Sequence, residues 1–413
     1  MVNSLDAHAP RTVFILDNDY GELGLAMYFL QGRRLADSAT ILLPPLLFAK
    51  NKDTVPGEVL EYRSLEDITR IVEEARPEIV FLFSGYILPL HAIVSLDDMA
   101  NLVQFLEDRE CKIVVSDPFF GIFSRMDPSG VSASDALRIF DAEILPQQSF
   151  GYRLSTTSGN IRILKRFAGA SHIIKDATHL YYTRPGPDSE PIEVRTRNMM
   201  FFNPSLIDDE RAPGSSSIVP SGEVDSCAPQ EQHWMFILGS VDYDLQSSFY
   251  GEERFLALLV AKVEETLRAG RRPVFLAPDH CIQKMLSLAP VAARKGLMTF
   301  CAYEQFSFLL LKAEYVFYWN LASYSTFLRV INGAPIFMFD QGHLARHVKP
   351  MYQRMIQWYY QNWSPPTLNH HEVLNAGSLA QLSKDYEQDT GKIRENLKEL
   401  PTPEQVVDDL LRT

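Results

Sequence analysis

Cysteine is scarce and scattered in this chain. Its 413 residues hold four, Cys111, Cys227, Cys281 and Cys301, with no Cys-x-x-Cys spacing, which excludes a disulfide framework and a thiolate zinc module. They read as reduced thiols in a cytoplasmic protein. Long apolar runs are missing as well: no stretch approaches the roughly twenty residues of a membrane-spanning helix. The apolar run after polar Met1–Arg11 ends at Asp17, too early for the core of a secretory signal. Positive charge is in deficit, with 39 Lys and Arg against 52 Asp and Glu and a net charge of −13. That argues against non-specific binding to nucleic acid or to an anionic membrane surface.

What is present is an ordinary globular composition, 46% hydrophobic and 22% charged, in a chain long enough for two cored domains. Thr12–Leu16 is a short apolar run followed by a polar, Gly-punctuated turn, Asp17 to Gly24, and a helix over Leu25–Leu35. Ala39–Leu43, Ile79–Phe83 and Lys112–Val115 read as strands. Helices lie between them, one capped by Ser64 with Asp67 at the capping-box position and one over Leu96–Asp108. Strands alternating with helices predict a parallel α/β sheet. Helical patterning dominates Ser134–Ala170, with strand-like Thr178–Thr183 and Ile192–Arg197 beyond it. Pro204–Gln232 is poor in apolar residues and rich in Pro, Gly and Ser, as an interdomain linker is. A second α/β run starts at Trp234. The predicted divisions are residues 1–203, a linker at 204–232, a second domain at 233–362, and C-terminal helices at 363–413 expected to pack back on the first.

The densest stretch is Ala313 to His343. Tyr315–Trp319 is a buried-strand pattern, then come Asn320 to Thr326, a helical segment Phe327–Asn332, Gly333-Ala334-Pro335, a second strand Ile336–Phe339, and Asp340-Gln341-Gly342-His343. Ser323 or Ser325 can cap the helix. Both polar loops fall beyond the carboxyl ends of strands, where open α/β sheets bind ligands. Ser323, Ser325 and Thr326 offer hydroxyls and N–H groups to a diphosphate at a helix start. Asp340, Gln341 and His343 bring the acceptors and donors that sugar hydroxyls need.

This arrangement resembles the donor-binding half of GT-B glycosyltransferases. Met235–Ser240 looks like that fold's first C-domain strand with its Gly-Ser turn, and Glu252–Ala269, Pro273–Pro278, Leu297–Ala302 and Tyr303–Lys312 follow in the same order. The likeness covers roughly Trp234 to Tyr360. It implies two Rossmann-like domains facing across a cleft, transfer of a sugar from a nucleotide-activated donor to an unidentified acceptor (a glycan, small molecule or protein), and neither metal nor cofactor. Gly239 and Ser240 become donor-side elements, although the next helix is expected only at Glu252. One position departs from the pattern: Leu328 stands where the family often places a ribose-binding carboxylate. A pyruvyltransferase, a sugar-nucleotide epimerase or an inactive binding or scaffold subunit on the same architecture therefore stays open.

The first-strand loop is similar to the Asp-Asn-Tyr-Gly-Asp-Ile-Gly loop of bacterial protein-arginine rhamnosyltransferases, with Asp19 inserted and Glu22 in place of the second Asp. By that resemblance Asp17 is the catalytic base, Glu22 its helper and Gly21 part of the substrate loop. An ordinary Asx-turn would use the same residue types. Asp17-Asn18-Asp19 and Asp242-Tyr243-Asp244 share the Asp-x-Asp spacing of the unrelated GT-A fold, a weak signal in an acidic chain. Asp279-His280 is a candidate neighbour of a nucleotide base, whereas His370-His371 reads as a loop pair without chemistry.

Overall fold

A computed structural model describes residues 10–17, 20–31, 33–83, 85–90, 93–123, 126–139, 150–186, 197–206, 232–320, 323–339 and 350–413. The chain forms two compact units. Unit 1 comprises Met1–Ala136, Thr157–Asp208 and Leu397–Thr413; unit 2 comprises Leu137–Thr156 and Asp209–Asn396. Most of the expected linker, 207–231, lies outside the described residues.

Unit 1 is built on a seven-stranded sheet. Its strands are β1 (Thr12–Ile15), β2 (Ala39–Leu43), β3 (Glu58–Glu61), β4 (Ile79–Leu82), β5 (Lys112–Ser116), β6 (Thr178–Tyr181) and β7 (Arg197–Met200). The order is β3-β2-β1-β4-β5-β6-β7 and every pairing is parallel. Strands β1, β2 and β4 are buried along their whole length, as helices on both faces of a parallel sheet require. Edge strand β3 is Glu-Val-Leu-Glu and partly exposed; its terminal acids hid it from a propensity reading and blunt the open edge. The helices in chain order are α1 (Tyr20–Leu30), α2 (Pro45–Asn51), α3 (Leu65–Ala75), α4 (Leu96–Glu107), α5 (Ala133–Ile139) and α6 (Phe150–Ile173), the end of α5 and the start of α6 being assigned to unit 2. Ser64 caps α3 through the Asp67 N–H, and Ser95 with Asp98 closes a full capping box on α4.

One expectation is corrected here. Helix α1 begins at Tyr20 rather than Leu25, so Gly21 and Glu22 lie in its first turn, where the helix dipole favours an acid. The expected helical region Ser134–Ala170 is helical where described, in α5 and α6, and residues 140–149 lie outside the described residues. The last strand is described over Arg197–Met200, and residues 192–196 of the expected Ile192–Arg197 strand lie outside the described residues.

Unit 2 repeats the plan with six strands: β8 (His233–Ile237), β9 (Arg272–Leu276), β10 (Leu297–Met298), β11 (Tyr315–Tyr318), β12 (Ile336–Phe339) and β13 (Thr367–Leu368). They run parallel in the order β10-β9-β8-β11-β12-β13. The helices are α7 (Ser240–Tyr250), α8 (Glu252–Arg268), α9 (Asp279–Leu288), α10 (Tyr303–Lys312), α11 (Tyr324–Ile331), α12 (Pro350–Tyr359), α13 (Ala376–Leu382) and α14 (Tyr386–Leu397). The core is aromatic: Phe236 stacks on Phe275 at 5.3 Å and on Phe317 at 4.7 Å, and Trp234, Trp319 and Trp358 are buried.

Arg329 is buried in this core and donates to the carbonyls of Leu310, Ala313 and Pro335 at 3.0 Å. One guanidinium thus satisfies the C-terminal carbonyls of α10 and fixes where β11 and β12 begin. Helix α15 (Pro403–Arg412) belongs to unit 1. It is held there by Arg33–Glu404 at 3.3 Å and Arg197–Asp409 at 2.6 Å, while the Phe202 N–H donates to the Pro401 carbonyl. Residues 363–396 of the expected return segment stay with unit 2.

Candidate functional site

In each sheet the strand order reverses beside the first strand, between β1 and β4 and between β8 and β11. Open α/β sheets bind ligands at the strand tips of such switch points.

In unit 1, Asp17 follows β1 at that point and is only 1% exposed. The preceding Leu16 carbonyl accepts from the Tyr62 hydroxyl at 2.6 Å. Burial, and then the nearby Asp17, push the Tyr62 phenol far above its ordinary value. Glu22, on the first turn of α1, accepts from the Ser116 hydroxyl at the tip of β5, 3.0 Å away; Ser116 also contacts the Phe83 carbonyl beyond β4. Asp117 is buried beside Ser116 and accepts from the Phe119 and Gly121 N–H groups at 3.0 and 2.8 Å. The tips of this sheet therefore gather three buried carboxylates. Asn18 and Asp19 lie outside the described residues.

In unit 2 the tip of β8 runs through Leu238 into Gly239, and α7 starts at once at Ser240. The expected loop from Val241 to Gly251 is a helix. Gly239 and Ser240 thus stand at a helix N-terminus, the geometry that suits an anion. Asp242 and Asp244 are two apart on α7 and point to different faces; Asp244 is exposed, and Asp242 folds back toward the turn. They are no chelating pair.

The Asn320 amide at the β11 tip donates to Asp242 at 2.5 Å. Burial pushes the Asp242 carboxyl up to about 6, against the lowering pull of Asn320 and the Gly239 N–H. At the next turn, Ser323 is the N-cap residue of α11 with no side-chain cap bond. Ser325 accepts from the Tyr318 hydroxyl at 3.1 Å and contacts the Ser323 hydroxyl at 2.7 Å. Thr326 donates to the Ser323 carbonyl and accepts from the Tyr360 hydroxyl. Buried Ser325 and Thr326 spend their hydroxyls inside the protein, leaving half-buried Ser323 and the helix N–H groups for a ligand.

Helices α9 and α10, which follow β9 and β10, have Pro278 and Ala302 as N-cap residues and also lack side-chain caps. Asp279 and His280 are exposed at the first of these starts, and the His280 ring meets Tyr243 edge-on at 4.8 Å. Leu328 is 2% exposed and faces the core. Asp340, Gln341 and His343 lie outside the described residues, just after β12.

His370 lies in a turn, as expected, but is packed into the core. It is 2% exposed and stacks against Phe339 at 5.1 Å. The Trp319 indole, which can only donate, bonds its Nε2 at 2.5 Å, and Nδ1 lies 3.1 Å from the Tyr250 hydroxyl. Nε2 must therefore be the acceptor, which sets one neutral tautomer. The role is structural and ties the β13 loop to the core.

Sequence reasoning missed Ser116 and Asn320 as partners. Each is a single polar residue closing an apolar strand, and that is the only signal it carries. Among the described residues, no cluster of three His, Cys, Asp or Glu could hold a metal ion, and no helix is long and apolar enough to cross a membrane.

No protein-family model and no curated protein matches the chain. Solved structures do. One is Os79 from O. sativa in complex with UDP and deoxynivalenol-3-glucoside, 11% identical, with a TM-score of 0.52 over 97% of this chain and 99% of that one. Another is a UGT transferase from Siraitia grosvenorii in complex with UDP, with the same identity, coverage and TM-score. The chain has the fold of GT-B glycosyltransferases, two Rossmann-like α/β domains.

Proposed function

We propose that the chain is a glycosyltransferase that takes a sugar from a nucleoside-diphosphate donor on unit 2 and passes it to an acceptor deprotonated by Asp17 of unit 1. The observation that carries this reading is the row of helix starts after β8, β9, β10 and β11, none with a side-chain cap. Uncapped N–H groups at strand tips are ready-made anion ligands. Those of the Gly239–Ser240 and Ser323 turns would receive the diphosphate and stabilise the charge it gains as the bond to the sugar breaks. No metal is needed for that step if backbone dipoles carry it.

Asp17 would take the acceptor's proton, which requires hydrogen-bond reach of the nucleophile; Glu22, held by Ser116, would assist from α1. Gly21 lets the first turn of α1 lie close to the acceptor. Asp340, Gln341 and His343 are assigned the sugar hydroxyls. The UDP in the two similar structures supports the donor class.

The test is calorimetric titration with UDP-, TDP- and GDP-sugars, followed by analysis of products. The expected outcome is selective binding by one nucleotide class, with slow donor hydrolysis that disappears in Asp17→Asn while binding persists. No binding across the panel sinks the proposal and leaves a scaffold subunit. Conversion of the donor without glycosyl release points instead to an epimerase.

A further inference from the structure

Asp242 is the third residue of α7, and its carboxylate turns back over the start of its own helix. The Gly239 N–H bonds to it, and Oδ2 lies 2.9 Å from where a Cβ on Gly239 would stand. The same oxygen is 2.5 Å from Asn320 Nδ2. Asn320 closes β11 and Gly239 closes β8, so one carboxylate ties together the two strand tips at the switch point of unit 2. A phosphate arriving at α7 meets an anion of the chain's own.

We propose that Asp242 is the positioning residue of this turn, and that a diphosphate binding there makes it take up a proton from solvent, coupling nucleotide-sugar affinity to pH. This rests on the donor-binding reading above and deepens it.

Two features support it. The two ends of an amide exchange by rotation, and Asn320 Oδ1 is buried without a partner, so no other bond pins the group. Asn320 can donate to an ionised Asp242 or, turned over, accept the O–H of a protonated one. The tie survives in both states. Moreover, the carboxyl already sits near 6, and a second negative group at the helix start pushes it further up.

Among the described residues, the titratable groups on the elements around it are engaged elsewhere. Tyr243 donates to Glu252 of α8, which pairs with Lys284 of α9 at 2.5 Å, and His280 packs on the Tyr243 ring. Asp242 itself answers to burial, Asn320 and the Gly239 N–H. Binding linked to proton uptake is tightest below the free-state value and weakens as pH rises above it.

The experiment is calorimetry on the full chain with UDP-glucose, TDP-glucose and GDP-mannose, whose esterified diphosphates do not titrate near neutrality. It runs from about pH 5.5 to 8.5, to span both the free and the bound Asp242. The dissociation constant is expected to rise about tenfold in total for each unit by which the bound donor raises the Asp242 value. Runs in two buffers of different ionisation heat should report net proton uptake, a readout that needs no variant. Asp242→Asn, neutral and isosteric, should flatten the profile and outbind the wild type at high pH. Asp242→Ala, which also loses the Asn320 tie, should bind more weakly than the Asn variant throughout. A flat wild-type profile without proton uptake, or a slope retained in Asp242→Asn, overturns the inference. Binding of no donor at any pH overturns the donor-binding reading itself, and this one with it.

Discussion

The two units share one strand order, with the third, second, first and fourth strands of each lying side by side, yet their strand tips carry opposite chemistry. Unit 1 fills its tips with side chains: Asp17, Glu22 and Asp117 are buried there, and α3 and α4 start on serine caps. Unit 2 has four helix starts whose N-cap residues make no side-chain cap bond, only α7 being met by a carboxylate of its own, Asp242, and it buries the Ser325 and Thr326 hydroxyls. Carboxylates suit proton removal, and bare N–H groups suit phosphate. On the proposed function, one backbone plan would yield a basic group on one sheet and an anion cradle on the other, through a handful of residues after each strand.

The sharpest way to break the contrast is Asp17→Asn. Transfer should fall by about 10²–10⁴-fold, the range for loss of a general base, with donor affinity unchanged in titrations. A comparable fall in affinity would mean that the carboxylates of unit 1 are not separate from the donor site. Next in size is the scaffold behind the bare helix starts. Arg329→Ala orphans buried carbonyls at the ends of α10 and β12, so unit 2 should lose roughly 3 kcal/mol or more in denaturant unfolding. Unit 1 should melt as before.

Making unit 2 resemble unit 1 is a finer probe. Ser323→Asp supplies α11 with the acidic cap it lacks. It should stabilise the helix by up to about 1 kcal/mol and weaken nucleotide-sugar binding by about tenfold or more. Tighter binding would contradict the anion-cradle assignment.

The smallest effects are in pH. Burial is the main cause holding His233 below its ordinary 6.5, so the unfolded chain binds the extra proton first. Stability from this group is full above about 6.5 and drains away as pH falls below it. Asp242, raised from 3.8 to about 6, works in reverse: its contribution is present below 3.8 and is lost as pH rises through 6. Melting curves should show His233→Gln flattening the acid side, and Asp242→Asn gaining on the wild type as pH rises from 5 to 7.

Much of this was legible in residue order. Buried parallel strands such as β1, β4 and β11 announce themselves as short runs of Val, Ile and Phe, and Ser64 with Asp67 marks a helix start by capping chemistry alone. The placement of Gly239 and Ser323 at strand tips followed from the same alternation. Helix α7 did not follow, because Ser-Val-Asp-Tyr-Asp is poor in helix formers and its helix is stabilised by Tyr243 and Gln246 packing inward. Strand β13 has two residues, too few for any periodicity. Among the site groups, the positions of Asp17 and Gly239 could be read, but their partners could not.

Sequence alone settled the alternation of strands and helices, the pair of α/β units and the stations of the polar loops, since hydrophobic period and turn chemistry are local properties. Tertiary structure decided which hydroxyls are spent internally, that His370 is locked between aromatics, and that Asp242 reaches Asn320, just beyond β11 and 78 residues away. Burial and hydrogen-bond partnership across a sheet depend on neighbours far apart in the chain, and those neighbours exist only once it has folded.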